Sequence, residues 1–469
     1  MTMQAHRPAS GRPDGAGLSW PSIVRLGLVQ AALGSIVVLM TSTLNRVMVV
    51  ELSLAASIPG ALVGLHYAVQ LLRPLWGHGS DVGRSRTRWI VGGVALLGLA
   101  GTLATLAVGL MEHRFASGLA LAVAAFVAIG FGIGAAGTSL LALLAARTAP
   151  ARRPAAATLV WVLMIVGIVV TAATTGRLLD PYSHERLAAI TAATGAIALL
   201  VTLLAVWGIE RGSSEGPASV SHAARPAFRE ALREAWSDGE RRAFTLFVFV
   251  SMLAYSAQDL ILEPFGGIVH AMSPGETTAL AGTQHGGVLL GMVLVGTLGT
   301  WASRRVPGTL RVLTVAGCAL SALMLGGLAW STTAPGTWPV EANVFALGVA
   351  NGAFAVAAIG AMMALAAKGP GGAARAGVRM GVWGAAQAIA FGLGGLLGAV
   401  AVDLVGLVTS ETGASYRFVF MGEAATFLGA ALVATRLDLD RARVAPAAPD
   451  ADLAAMRFGH GATLIDPAE

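Results

Sequence analysis

Residues 251–270 read SMLAYSAQDLILEPFGGIVH, and this stretch decides what kind of chain carries it. It is apolar and of membrane-spanning length, yet Gln258, Asp259 and Glu263 sit near its end. Ionisable groups at that depth are costly, so they face a protein interior or a cavity and have partners. Asp259 and Glu263 are four residues apart, which puts both on one helix face. Pro264 follows at once, where a helix is expected to kink or stop. The matching feature lies upstream in TSTLNRVMVVELSL, Thr41 to Leu54, where Asn45 and Arg46 interrupt an apolar run and Glu51 closes it. One part of the chain thus offers an intramembrane cation and another offers anions.

Working outward, the 469 residues are 55% hydrophobic and only 12% charged, which with repeated apolar runs of about 20 residues identifies a polytopic all-α membrane protein. The net charge of +6 does not point to nucleic acid, because the arginines are dispersed among loops as membrane topology alone requires. The one cysteine, Cys318, excludes an intramolecular disulfide and a multi-cysteine metal site. The first residues, MTMQAHRPASGRPDGAG, have no apolar core or cleavage site, so no signal peptide is expected.

Twelve hydrophobic segments are predicted, at 26–50, 58–77, 89–111, 117–146, 158–179, 187–208, 244–267, 280–301, 309–330, 340–367, 377–404 and 416–436. An even number puts both termini on one side. Leaving out Arg46 and Arg73, which lie deep within segments, 25 Lys and Arg fall in or beside the tails and even-numbered connections, and only Arg114, Arg177, Arg186 and Arg417 fall at the opposite side. Positive residues stay inside, so the termini are expected in the cytoplasm.

The connection 209–243 divides the chain into six-segment halves, 26–208 and 244–436, flanked by polar tails 1–25 and 437–469. Its PAFREALREAWSDGERRAF run fits an amphipathic helix on the membrane surface, or equally a charged tether. LALLAAR (141–147) with Trp161 behind it is similar to MALAAK (363–368) with Trp383 behind it, an internal repeat of about 221 residues. Parallel six-segment repeats are the major facilitator architecture, which places a site between the halves. In the loop GHGSDVGRSRTR, Gly77, Asp81, Arg84 and Arg86 resemble the signature major facilitators carry there, although Val82 replaces a basic residue. The equivalent GTWASRRVPG of the second half has no acid.

No enzyme motif survives. Gly132, Gly134 and Gly137 spell G-x-G-x-x-G inside segment 4 with no strand before them, so helix packing explains them better than a dinucleotide. Gly394 and Gly398 read the same way. Counting 1.5 Å per residue from the terminal side, Arg46 lies roughly 30 Å along segment 1, and Asp259 and Glu263 roughly 23 and 29 Å along segment 7. A charge site or gate of Asn45, Arg46, Glu51, Gln258, Asp259 and Glu263 follows, with Arg46 paired to Glu263 or Asp259 across the axis between the halves. A static lock is the competing reading. His66, Gln70 and Arg73 share one face of segment 2, and Gln284 with His285 occupy a comparable place in segment 8. A neutral imidazole in such a setting could ligate the magnesium of a chlorin, although a hydrogen-bonded core histidine is commoner. Asn351, Gln387 and Glu423 read as interhelical hydrogen-bonding groups. No metal site is expected.

STLNRVMVVEL in segment 1, YSAQDLILEPFGG in segment 7, NGAFAVAAIGAMMALA in segment 10 and GVRMGVWGAAQAIAFGLGG in segment 11 resemble the bacteriochlorophyll-delivery family of PucC-type light-harvesting assembly proteins, a branch of the major facilitators. The resemblance implies a non-enzymatic protein of the bacterial inner, photosynthetic membrane. It implies bacteriochlorophyll or a precursor as transient cargo, and light-harvesting polypeptides and pigment-synthesis enzymes as partners. Two rivals stay open at this point. One is a proton-coupled transporter of a small solute using Asp259 or Glu263. The other is a scaffold that docks antenna polypeptides without touching pigment.

Overall fold

The apolar segments fold as twelve helices, with no strand among the described residues. The computed structural model describes residues 17–72, 85–149, 152–210, 239–306, 308–367, 372–409, 411 and 413–436. In chain order α1 is Trp20–Glu51, α2 Ser57–Gln70, α3 Arg86–His113, α4 Phe115–Arg147, α5 Arg153–Leu178 and α6 His184–Val206. The second half has α7 Gly239–His270, α8 274–305, α9 Thr309–Ser331, α10 Val340–Ala367, α11 Gly372–Gly406 and α12 Ala414–Thr435. Among the described residues eleven helices are long and apolar enough to cross a membrane. The exception is α2, described over 14 residues, and the remainder of its expected span lies outside the described residues. The chain is an all-α polytopic protein of the major facilitator fold.

Several helices begin earlier than hydropathy predicts. Capping is the reason. Ser19 accepts a hydrogen bond from the Ser22 N–H and Pro21 sits in the first turn of α1. Ser273 and Glu276 form a reciprocal capping box that starts α8 six residues before its apolar run. These polar turns extend the helices past the apolar zone, which hydropathy alone cannot register. The linker residues 211–238, the tails 1–16 and 437–469, and Gly77, Asp81 and Arg84 of the loop signature lie outside the described residues. So do the side chains of 359–385, which include the second copy of the sequence repeat.

Each half has its own apolar core, one centred on α1 and α3–α6, the other on α7, α9, α10 and α12. Close helix approach is made by small residues. A Cβ on Gly132 of α4 would stand 2.8 Å from the Gly93 carbonyl of α3, so the apparent dinucleotide motif is a helix-packing surface. A Cβ on Gly394 of α11 would stand 2.4 Å from the Leu253 carbonyl of α7.

Between the halves the hydrogen bonds found among the described residues gather at the end away from the termini. Asp403 of α11 accepts the Ala56 and Ser57 N–H groups at the start of α2, both at 2.8 Å. Asp180, just after α5, accepts the Ser273 hydroxyl at 2.6 Å and the Gly275 N–H at 3.1 Å at the start of α8. Because α5 and α11 are repeats of each other, as are α2 and α8, these two clasps are the same device used twice. In each, a carboxylate of one half caps a helix of the other, where free N–H groups and the helix dipole favour an anion.

Candidate functional site

The centre of the molecule is a polar seam along α7, and its construction begins at Pro264. Proline has no N–H, so the Leu260 carbonyl four residues earlier loses its helical donor. Asn45 of α1 supplies one, its Nδ2 donating to the Leu260 oxygen. The expected stop therefore does not occur, and α7 runs through Pro264 to His270. The helix ends there because Ala271 takes a left-handed conformation, φ 54°.

Asn45 and Arg46 stand on a short α-helical turn between two π-helical stretches, Leu39–Thr43 and Val47–Glu51. Such irregular turns are frequent at functional sites. They also decide the ion pairing. In a π-turn, residues five apart come into register, and Arg46 and Glu51 are five apart. Arg46 therefore pairs with Glu51 of its own helix, while its second guanidinium nitrogen donates to the Met272 carbonyl at 3.0 Å. The ion pair expected between Arg46 and Glu263 or Asp259 is not formed. Arg46 does fasten α1 to the end of α7, but through a backbone carbonyl. Gly267 makes room for it, since a Cβ there would stand 3.2 Å from the guanidinium.

The anions behind this pair are left without direct partners. Glu263 is 1% exposed and neither carboxyl oxygen meets hydrogen-bond geometry. Ser42, Thr277 and Thr278 lie around it, but the Thr277 hydroxyl donates to Pro274 and that of Thr278 is shared with Thr43 at 3.1 Å. Asp259, one turn earlier, is partly exposed, with Gln284 of α8 alongside and no completed bond between them. Gln258 is fully buried with both amide atoms unpartnered. Glu423 of α12 is likewise buried, with both oxygens unpartnered and within electrostatic reach of Asp259. Sequence spacing could not link Glu423 to the seam, because it lies more than 150 residues away on another helix.

Beside Asp259 runs an aromatic ladder that sequence reading also missed. Tyr67 of α2 lies 5.8 Å from Phe391 of α11, which lies 5.7 Å from Tyr255 of α7, and Tyr255 lies 6.5 Å from Phe354 of α10. The ladder crosses from one half to the other. Four single aromatics on four helices leave no periodic signal.

The two candidate pigment ligands have different surroundings. His285 is buried in α8 with Nδ1 donating to the Ala281 carbonyl at 2.9 Å. That bond leaves Nε2 as the lone-pair nitrogen of the neutral ring, the arrangement a metal-ligating imidazole needs. His66 bonds the Val63 carbonyl through Nδ1 at 2.6 Å, and its ring lies 4.1 Å from that of Tyr67, tilted by 45°. Arg86, the described member of the loop signature, starts α3. Its N–H donates to Glu210 at 3.0 Å and its guanidinium to the Ala142 carbonyl at 3.2 Å.

At the end away from the termini, Tyr182 shares a 2.9 Å hydrogen bond with His184, whose other nitrogen is 3.2 Å from Glu112. Burial pushes the Tyr182 phenol well up, Glu51 adds to the effect and Arg46 opposes it. Tyr182 thus sits in the field of the Arg46–Glu51 pair. No group of three His, Cys, Asp or Glu among the described residues is arranged to hold a metal. A cavity of about 400 Å³ lies between α3 and α4, lined by Arg88, Trp89, Gly92, Leu96 and Phe131, apart from the seam.

The chain is 52% identical over 418 residues to the "Bacteriochlorophyll synthase 44.5 kDa chain" of Rhodobacter capsulatus, covering 89% of this chain and 95% of that one. It is 30% identical over 431 residues to "Protein PucC" of the same organism, covering 86% and 89%. Among solved structures, a D-xylose–proton symporter superposes with a TM-score of 0.68 at 14% identity, covering 91% of this chain and 99% of that one. A bacterial homologue of the human lysosomal transporter Spinster, inward-facing, gives 0.64 at 18% identity, covering 91% and 98%. At such identities these structures establish the fold alone. The PUCC protein family model matches residues 43–442, from the Asn45–Arg46 turn through the last helix, and the chain belongs to that family.

Proposed function

We propose that the protein is a light-harvesting complex assembly factor that delivers bacteriochlorophyll, or a precursor, to antenna apoproteins. The observation that carries this reading is the near full-length relationship to a chain named for bacteriochlorophyll synthesis and to PucC. The chemistry inside is compatible with such cargo. His285 offers a lone-pair nitrogen for a chlorin magnesium, and the ladder of Tyr67, Phe391 and Tyr255 offers flat apolar surface for a ring. His66 is the second candidate ligand. The partners on this reading are light-harvesting polypeptides and pigment-synthesis enzymes, and the place is the bacterial inner, photosynthetic membrane with both termini cytoplasmic.

The deciding measurement is near-infrared absorption of the protein purified in mild detergent from a phototrophic host. Stoichiometric chlorin, reduced by His285→Leu and His66→Leu at normal protein yield, supports delivery. Full pigment retention in the double variant removes axial ligation by these residues. Pigment-free protein from a strain whose deletion lowers antenna content leaves a scaffold. A second reading, proton-coupled transport of a small solute, is favoured by Glu263 of α7, buried with both carboxyl oxygens unpartnered. Solute-dependent proton uptake in vesicles would establish it.

A further inference from the structure

We propose that Asp259 of α7 and Glu423 of α12, together with Gln258, hold one small monovalent cation inside the second half of the molecule. Helix register puts the three residues at one level. The Phe265 ring lies 4.9 Å from Phe420 and 5.7 Å from Tyr416 of α12. Gln258 is seven residues, about two turns, before Phe265 and on the same face of α7. The first and sixth helices of a half run in opposite directions, so seven residues on from 416–420 brings α12 to 423–427, opposite Gln258. Asp259 adjoins Gln258 in sequence, and its charge reaches Glu423.

Five polar atoms there have no hydrogen bond within the protein. Both oxygens of Glu423, both amide atoms of Gln258 and Oδ1 of Asp259 are buried without a hydrogen bond. Native interiors leave few such groups, and a cluster of them points to a ligand. Its sign follows from the charges. The two carboxyls are within electrostatic reach, with Glu263 a turn from Asp259, and among the described residues no cation acts on either. Arg46, the cation that reaches Glu263, is committed to Glu51 and to the Met272 carbonyl. Of the other elements packed here, α8 brings His285, α9 brings Cys318 and α11 brings Asp403 near Tyr416. On α7 itself Tyr255 feels Asp259, and α10 has no ionisable side chain between 342 and 358. Two bare anions buried together are costly unless something compensates their charge. A hard cation held by the carboxyl and amide oxygens offsets one of the two charges, and the second carboxyl stays neutral by keeping its proton. Two carboxyls and a neutral amide suit a single positive charge better than a divalent ion, which takes six to eight oxygens when it is calcium. Sodium and a proton share this chemistry.

The proposal is independent of the pigment reading, since it concerns a different ligand and a different readout. The full chain in detergent is unfolded thermally in sodium chloride and in choline chloride at equal ionic strength, on both sides of neutral pH. For a sodium ion, sodium raises the midpoint of the wild type saturably, and Glu423→Gln abolishes the rise. For a proton, sodium is silent, the wild-type midpoint shifts with pH in choline, and Glu423→Gln flattens that dependence. Asp259→Asn, at the more accessible position, gives the same answer should Glu423→Gln fail to accumulate. Wild type and variant responding alike to both sodium and pH overturns the site. Pigment content measured on the same preparations reports on delivery separately.

Discussion

Asn45 completes the backbone of a helix that is not its own, and this gives it a defined role. Removing a buried donor leaves the Leu260 carbonyl unsatisfied at a cost of about 1–3 kcal/mol. Asn45→Ala is expected to lower the unfolding midpoint accordingly. Pro264→Ala restores a helical N–H, so in that background Asn45→Ala becomes nearly harmless; simple addition of the two losses would show that the bond does not matter. The pairing of Arg46 has a similar test. A double-mutant cycle of Arg46→Ala with Glu51→Ala is expected to show a larger interaction than the cycle with Glu263→Ala, and the reverse order would restore the pair across the axis. The sequence reading paired Arg46 with Glu263 or Asp259, and the structure pairs it with Glu51. Charge and depth along ideal helices pointed to Glu263, but the π-turns of α1 move Glu51 beneath Arg46, and nothing in the spacing announces a π-turn.

Among elements, α7 and α11 are held together by the absence of side chains as much as by their presence. Gly394 has no room for a Cβ against Leu253 and Ser256, and a Cβ on Gly398 would stand 3.1 Å from Ala257. Gly394→Val is expected to force the helices apart at a cost of about 1–3 kcal/mol, seen as reduced accumulation in the membrane. Gly422 of α12 has open space where a Cβ would go, so Gly422→Ala should change accumulation little. Equal loss in both would mean that helix approach is not the limiting factor. The twelve helices and the small-residue contacts were legible because hydropathy and glycine spacing act within a segment. The Tyr67–Phe391–Tyr255 ladder and the membership of Glu423 were not, because they arise only when segments from both halves, or from opposite ends of one half, are packed together.

At the scale of the whole molecule, the 25-to-4 distribution of Lys and Arg predicts that reporters fused after Gly212 and at the C-terminus lie in the cytoplasm and one after Thr332 in the periplasm. A periplasmic signal from either of the first two would refute the twelve-helix topology. The clasps made by Asp180 and Asp403 carry a further consequence. Separating the halves at that end would uncap α2 and α8 together, leaving two carboxylates and two sets of bare N–H groups to be hydrated. Being repeats of one device, they are expected to share the load, so Asp180→Asn and Asp403→Asn should each loosen that end and the double variant should loosen it more than either. Accessibility of a cysteine placed at Ser57 to a membrane-impermeant thiol reagent reads this directly, and unchanged labelling in the double variant would deny the clasps a role. Carboxylate–helix attractions near a surface are weakened by dissolved ions within a Debye length, about 8 Å at physiological ionic strength. Both clasps lie on one side of the bilayer. Salt added to that compartment alone should therefore bias the shape of the protein, while the same salt on the other side should leave it unmoved.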